Sequence, residues 1–269
     1  MSILSTPAIL LRSYPYSETS QILRFYSESN GVLSAMARGS RKSGGRKGGE
    51  LRSFAEGVLG VYFKETRDLQ TFREFSPTNP RPGLGTDPSR LAAASVLAEL
   101  ILQHAESETN PTLFADLSLG LDAMESGNRS LLVPILLAHL WSLIGSLGFA
   151  PVVEACVQCG RTFGDDELGR FDFGAGGLRC SDCSHEHPGP RLGPVARSQL
   201  QDLMAGSVRE DLTRPDTHLR LASDFITYHI SGGTPLRSMG VLANLTSESD
   251  ALTDPRHRRP HRSWEDRFG

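Results

Sequence analysis

The chain has 269 residues, 38% hydrophobic and 22% charged, with 28 Lys+Arg against 31 Asp+Glu for a net charge of −3. That length allows two or three small domains, each with a core of its own, and the composition is that of a globular protein. A net negative charge argues against a polyanion partner gripped by the whole surface, but residues 1–80 carry 11 Lys+Arg against 7 Asp+Glu and hold all three lysines. Any anion-binding surface is therefore local and belongs to the first part of the chain.

The opening MSILSTPAILLRSY lacks the basic start and small-residue cleavage site of a signal peptide, so a cytoplasmic location is expected. Residues 8–12, 21–26, 31–36, 55–63 and 69–75 are short runs with β-branched and aromatic enrichment, separated by turn residues such as Asn30-Gly31. Five such runs in residues 1–80 predict a five-stranded Greek-key barrel of the OB type, with an SH3-like barrel as the alternative.

Between the third and fourth runs lies ARGSRKSGGRKGGELRSF, residues 37–54, with six cations, five glycines and one acid. Gly39-x-x-x-x-Gly44 is half of a nucleotide phosphate loop, but Gly45 stands where Lys is needed, and Gly44-x-x-x-x-Gly49 is followed by Glu50. A plain linker would be Gly/Ser-rich without the charge. The stretch reads instead as a mobile grip on nucleic acid, carried by Arg38, Arg41, Lys42, Arg46, Lys47 and Arg52, with Arg12 and Lys64 as further DNA-binding candidates. Tyr14, Tyr16, Tyr26, Tyr62 and Phe63 are candidates to stack unpaired bases, on the understanding that several of them belong to the core.

Pro77, Pro80, Pro82, Gly83, Gly85 and Pro88 mark a linker, after which the pattern turns helical. Ser89 is the expected cap of a helix lined by Val96, Leu97, Leu100 and Ile101; Asn110-Pro111 opens another whose stripe is Leu113, Phe114, Leu117, Leu121 and Met124. Leu131 to Val153 is apolar enough for a coarse membrane window, but Pro134, His139, Ser142 and Ser146 and the lack of flanking Lys/Arg favour a buried core helix. Helical patterns resume near 194–205, 216–231 and 235–245. The expected division is a barrel at 1–80, a helical domain at 88–150 and 190–246, an insert at 151–189, and a basic tail at 247–269 that is expected to be disordered.

The four cysteines fall as C-x2-C-x20-C-x2-C: Cys156, Cys159, Cys180 and Cys183. Two close pairs on tight turns supply a tetrahedron of thiolates, the pattern of one structural zinc. Gly160 lets the first turn close, and Phe171/Phe173 alternation suggests a hairpin between the pairs. Four cysteines leave no open position for a catalytic water. His185 and His187 follow the last cysteine, and Asp165-Asp166-Glu167 sits inside the insert; both read as solvated loop. No nucleophile elbow or H-E-x-x-H is present, so no catalytic residue is assigned and the chain is not expected to be an enzyme. An RNA-binding or transcription-associated zinc and OB module, or an adaptor whose basic loop grips an acidic protein, fits the same residues.

Taken in order, Ala8-Ile9-Leu10-Leu11, Tyr16-Ser17-Glu18, Gly31 leading to Ala37-Arg38-Gly39-Ser40-Arg41, Leu51 with Phe54, Ser146-Leu147-Gly148-Phe149-Ala150-Pro151, the cysteine set and Pro235-Leu236-Arg237-Ser238 resemble the RecO family of bacterial DNA repair and recombination proteins, over about residues 1–245. The resemblance implies an α+β protein with an N-terminal OB-type barrel and a C-terminal helical domain carrying the zinc module. It also implies a recombination mediator that binds single- and double-stranded DNA, anneals complementary strands, partners RecR and the single-strand-binding protein, and helps load RecA. It implies neither a bound nucleotide nor a membrane.

Overall fold

The structure is a computed structural model and describes residues 2–40, 51–105, 110–185 and 187–253, with side chains described up to residue 246. It divides into two compact units, residues 1–132 and 133–269.

In the first unit β1 (Ser2–Pro15), β2 (Gln21–Ser27), β3 (Gly31–Ala37), β4 (Glu56–Phe63) and β5 (Leu69–Asn79) close into a barrel in the order β1-β2-β3-β5-β4. All pairs are antiparallel except β3–β5. This is the OB-type order, with one long curved strand, β1, pairing β4 through its first half and β2 through its second. Strict alternation explains the closure: along β3, Gly31, Leu33, Ala35 and Ala37 are buried while Val32, Ser34 and Met36 are half-buried. The inward positions Leu10, Leu23, Phe25, Leu33, Leu59, Val61, Phe72 and Phe75 form the barrel core.

The expected linker is not one. β5 continues through Pro77 to Asn79, and a short helix, α1 (Pro82–Thr86), buries Leu84. Proline does not end the strand at Pro77 because the ladder there passes through a bulge at Glu56/Gly57. Next come α2 (Pro88–His104) and α3 (Pro111–Ser126). The cap of α2 is Asp87, whose carboxylate accepts from the N–H groups of Ser89 and Arg90; Ser89 is inside the helix and buried. Asn110 and Pro111 open α3 as expected, and the stripe from Leu113 to Met124 is buried. Helices α1 to α3 fall in the same compact unit as the barrel, where the sequence pattern groups them with the later helices. Ile9 and Tyr26, on the outer side of the barrel, are buried, and Tyr26 stacks on Phe114 of α3.

All of α4 (Leu132–Ser146) except its first residue belongs to the second unit. Together with the preceding turn, Arg129–Ser146 is long and apolar enough to cross a membrane by length and composition, and 56% of it is buried inside the protein. Leu136, Leu137, Leu140, Trp141, Leu143 and Ile144 are all buried. The insert holds the expected hairpin, β6 (Gly169–Asp172) with β7 (Gly177–Arg179), and a third strand, β8 (Arg191–Leu192), that sequence pattern did not reveal. Then follow α5 (Pro194–Met204), α6 (Pro215–His229) and α7 (Arg237–Thr253). Phe225 of α6 joins Trp141 of α4 to Phe171 of β6, so the insert shares the helical core. Helix α7 runs seven residues past the expected start of the tail at 247; the rest of the tail, 254–269, lies outside the described residues.

Candidate nucleic-acid interface and metal centre

Residues that face one another across a ladder share one side of the sheet, so register alone builds the barrel's outer face. Tyr14 faces Ile22, Ile22 faces Met36, Met36 faces Thr71, and Thr71 faces Tyr62. This row crosses all five strands and carries an exposed tyrosine at each end: Tyr14 is 39% and Tyr62 38% exposed. One pleat away a second row runs Arg12, Arg24, Ser34 and Leu69. The barrel therefore presents a largely apolar lane with aromatic ends beside a lane that starts with two arginines.

Those arginines are placed against each other. Arg12 and Arg24 are a directly opposed pair, and like charges in that position are destabilising. Arg12 is exposed and lies over the Tyr14 ring, 5.1 Å from its centroid. Arg24 is half-buried, and its Nε is fully buried with no hydrogen-bond partner among the described residues. An anion on this lane would relieve both costs. Arg24 was not singled out in the sequence; its signal is its position, opposite Arg12 in the register and two residues before Tyr26 in an alternating strand.

Arg38 is exposed in the turn that leaves β3, and Arg52 is exposed in the turn Leu51–Ala55 that leads into β4. That second turn is pinned to β1: Phe54 donates its N–H to the Leu10 carbonyl, and Leu10 donates back to Ala55. Lys64 is exposed in the β4–β5 turn, where buried Gln70 accepts from its N–H and donates to its carbonyl. Arg41, Lys42, Arg46 and Lys47 lie outside the described residues. Of the aromatic candidates, Tyr16 is 65% exposed, while Phe63 packs on the barrel core. Tyr26 is 1% exposed and burial pushes its hydroxyl up to about 12, so it is a core residue and not a stacking platform.

The second site is built on two turns. Cys156 and Cys159 flank a turn closed by the Gly160 N–H on the Cys156 carbonyl, with Gly160 at φ +74°, where a side chain would be strained. Cys180 and Cys183 flank a 3-10 turn closed by the Cys183 N–H on the Cys180 carbonyl. The four Sγ atoms lie within 4.8 Å of one another. Cys159 and Cys180 Sγ are 3.8 Å apart, too far for a disulfide. Metal–sulfur bonds of ~2.3 Å in a tetrahedron put sulfurs ~3.8 Å apart, so the set fits a metal ion. Burial opposes ionisation of Cys156, yet N–H groups of Cys180 and of its own turn hold its thiol down to about 6. The Cys183 thiol is pushed up to about 12 by its contact with Cys180 and by burial. Four crowded sulfurs cannot all carry charge unless a cation sits among them.

Two residues read as solvated loop are not. His187 Nε2 lies 3.4 Å from Asp172 Oδ2, and Asp172 also takes Arg179 Nε at 2.6 Å. Burial opposes ionisation of Asp172, but the Ala175 N–H and Arg179 bring its carboxyl below the usual range. Glu167 is fixed by hydrogen bonds, whereas Asp165 and Asp166 are exposed. His185 is exposed as expected.

Residues 1–81 match the family model described as Recombination protein O N terminal, and residues 85–237 match Recombination protein O C terminal. The chain belongs to the RecO family. DNA repair protein RecO of Desulfitobacterium hafniense is 30% identical over 196 residues, covering 72% of this chain and 69% of that protein. The protein of the same name in Gloeobacter violaceus is 32% identical over 186 residues, covering 68% and 70%. That of Desulfatibacillum aliphaticivorans is 29% identical over 258 residues, covering 91% and 98%. The barrel and the four-cysteine turns both fall inside the RecO family matches, so a DNA repair role is assigned to a chain of α+β fold with an OB-like N-terminal domain.

Proposed function

We propose that this chain is a non-enzymatic recombination mediator that binds single- and double-stranded DNA through its barrel, promotes annealing of complementary strands, and with RecR helps load RecA. The observation that carries the DNA reading is the opposed Arg12–Arg24 pair, in which Arg24 Nε is buried without a hydrogen-bond partner among the described residues, beside a lane ending in Tyr14 and Tyr62. Phosphates satisfy the arginines while unpaired bases find π-faces one pleat away, a division of labour that ignores sequence. Annealing needs two polyanions held together, which the second set of cations at Arg38, Arg52 and residues 41–47 supports. RecR and the single-strand-binding protein come into the reading through the family, and on this reading the protein works in the cytoplasm at the nucleoid. No covalent step is required of any residue.

The cysteine set holds one structural zinc on the same reading, supported by the 3.8 Å Cys159–Cys180 spacing. The ion would contribute folding energy and no reaction chemistry.

Replacing Arg12 and Arg24 together by alanine is expected to weaken single-strand binding and flatten the log–log salt slope by about 1.4, at ~0.7 per phosphate contact. Loss of annealing of complementary oligonucleotides should accompany it. An unchanged slope would remove the barrel face from the reading, and preference for matched RNA without annealing would replace it with an RNA-binding module.

A further inference from the structure

Glu167 stands in sequence between the two cysteine pairs and in space touches the turns of both. Its carboxylate accepts both terminal nitrogens of Arg161, at 2.8 and 3.0 Å, and Arg161 is two residues after Cys159. The same carboxylate accepts the Gly164 N–H at 3.2 Å, and the N–H and hydroxyl of Ser181 at 3.3 and 3.1 Å; Ser181 follows Cys180 directly. Its backbone is held as well: Arg197 of α5, 8% exposed, donates to the carbonyls of Glu167 and Gly164 at 2.9 and 2.8 Å and lies over the Phe163 ring. The neighbours Asp165 and Asp166 are exposed and take no part in any of these bonds.

We infer that Glu167 is the positioning residue of the metal site: it ties the two C-x-x-C turns together before an ion arrives, so that the ion meets four sulfurs already gathered. The physical reason is the cost of gathering them. Closing the loop between the pairs loses chain entropy, and bringing thiolates within a few ångströms of each other adds repulsion. A carboxylate that accepts five donors from both sides offsets these costs with charge-assisted bonds. Removing a group that hydrogen-bonds a metal ligand costs about 10–100-fold in affinity, and Glu167 acts one or two residues away from the ligands, on Ser181 beside Cys180 and on Arg161 after Cys159. Arg197 extends the clamp to α5, so the gathered turns stand on a helix and not on loop alone.

This inference rests on the metal-binding reading, and one experiment separates the two. Zinc affinity of the full chain is measured by competition with a chromogenic chelator near neutral pH, for the wild type and the Glu167→Gln, Glu167→Ala and Asp165→Asn variants. The expected order is wild type equal to Asp165→Asn, then Glu167→Gln, then Glu167→Ala about 10–100-fold weaker. Glutamine keeps an oxygen for Ser181 but loses the charged fork to Arg161, so it decides the matter even if the alanine variant folds poorly. In metal-free wild type, the amides of Gly164 and Ser181 should still be protected from hydrogen exchange, and in Glu167→Gln that protection should fall. Wild type that binds zinc with Glu167 variants of equal affinity overturns the inference alone. Wild type that binds no zinc overturns the metal reading and the inference together.

Discussion

Tyr14 and Tyr26 are the same residue type on paired strands of one barrel, yet one is open to solvent and the other is sealed beneath α3. Nothing in the local pattern separates them, because both occupy outward positions; only the helix packed over one end of the face does. A similar burial decides the behaviour of His218 on α6, which is 4% exposed and held below the ordinary 6.5 by desolvation. In the unfolded chain this group takes up a proton near 6.5, while the folded protein resists until lower pH. The unfolded state therefore binds more protons below 6.5, and stability falls as pH drops from there toward the folded value. Replacing His218 by glutamine should flatten that part of the unfolding midpoint measured against pH. A slope identical to wild type would mean that the group stays accessible to protons when folded.

At the scale of elements, close approaches explain what propensity cannot. Gly57 sits at the β4–β5 bulge, where an added Cβ would lie 2.2 Å from the Ser76 carbonyl oxygen and 2.7 Å from the Pro77 Cα. The partner is backbone and cannot step aside, so Gly57→Ala should cost at least the 1–3 kcal/mol of an overpacked core, read from denaturant unfolding. No change would show that the bulge can open. The strands around it were readable because alternation and turn residues agree, as at Asn30-Gly31 between β2 and β3. Pro82–Thr86 was not readable as a helix because its prolines and glycines are punctuation in most contexts; burial of Leu84 overrides them. The cysteine turns were legible from spacing alone, since C-x2-C repeated twice admits few structures. The clamp on them was not, because Glu167 looks like its exposed neighbours until Arg161 and Ser181 are brought beside it.

Within the first compact unit, Arg81 joins the barrel to its helices. Its guanidinium is fully buried and donates to Asp122 Oδ1 at 2.6 Å, Glu56 Oε2 at 2.8 Å, Ser118 Oγ at 2.7 Å and the Phe54 carbonyl at 3.0 Å. Both Arg81 and Phe54 have left-handed backbone, at φ 41° and 71°, without being glycine. Such conformations persist where surrounding contacts over-determine them. The partners are partly solvated, with Glu56 and Asp122 side chains 24% and 45% exposed, so the pairs are weaker than fully buried ones. Truncation to methionine still leaves two acids facing an apolar stem, and a loss of about 3 kcal/mol is expected in thermal or denaturant unfolding, the low end for a broken buried pair. A loss below ~0.5 kcal/mol would show that the helices rest on apolar packing alone.

By itself the sequence determined the family, and within it the five strands of the barrel, the helix stripe from Leu113 to Met124 and the cysteine turns. Each of these depends on spacing between residues close in the chain, where a period of two or 3.6, or a pair of turns, is visible without folding. Only the tertiary structure decided that Arg24 stands against Arg12, that Tyr26 is core, that Glu167 is a clamp and that Arg81 is a junction. Those properties depend on which distant groups arrive beside a side chain. Burial and charge pairing are set by that arrival, and local pattern carries no record of it.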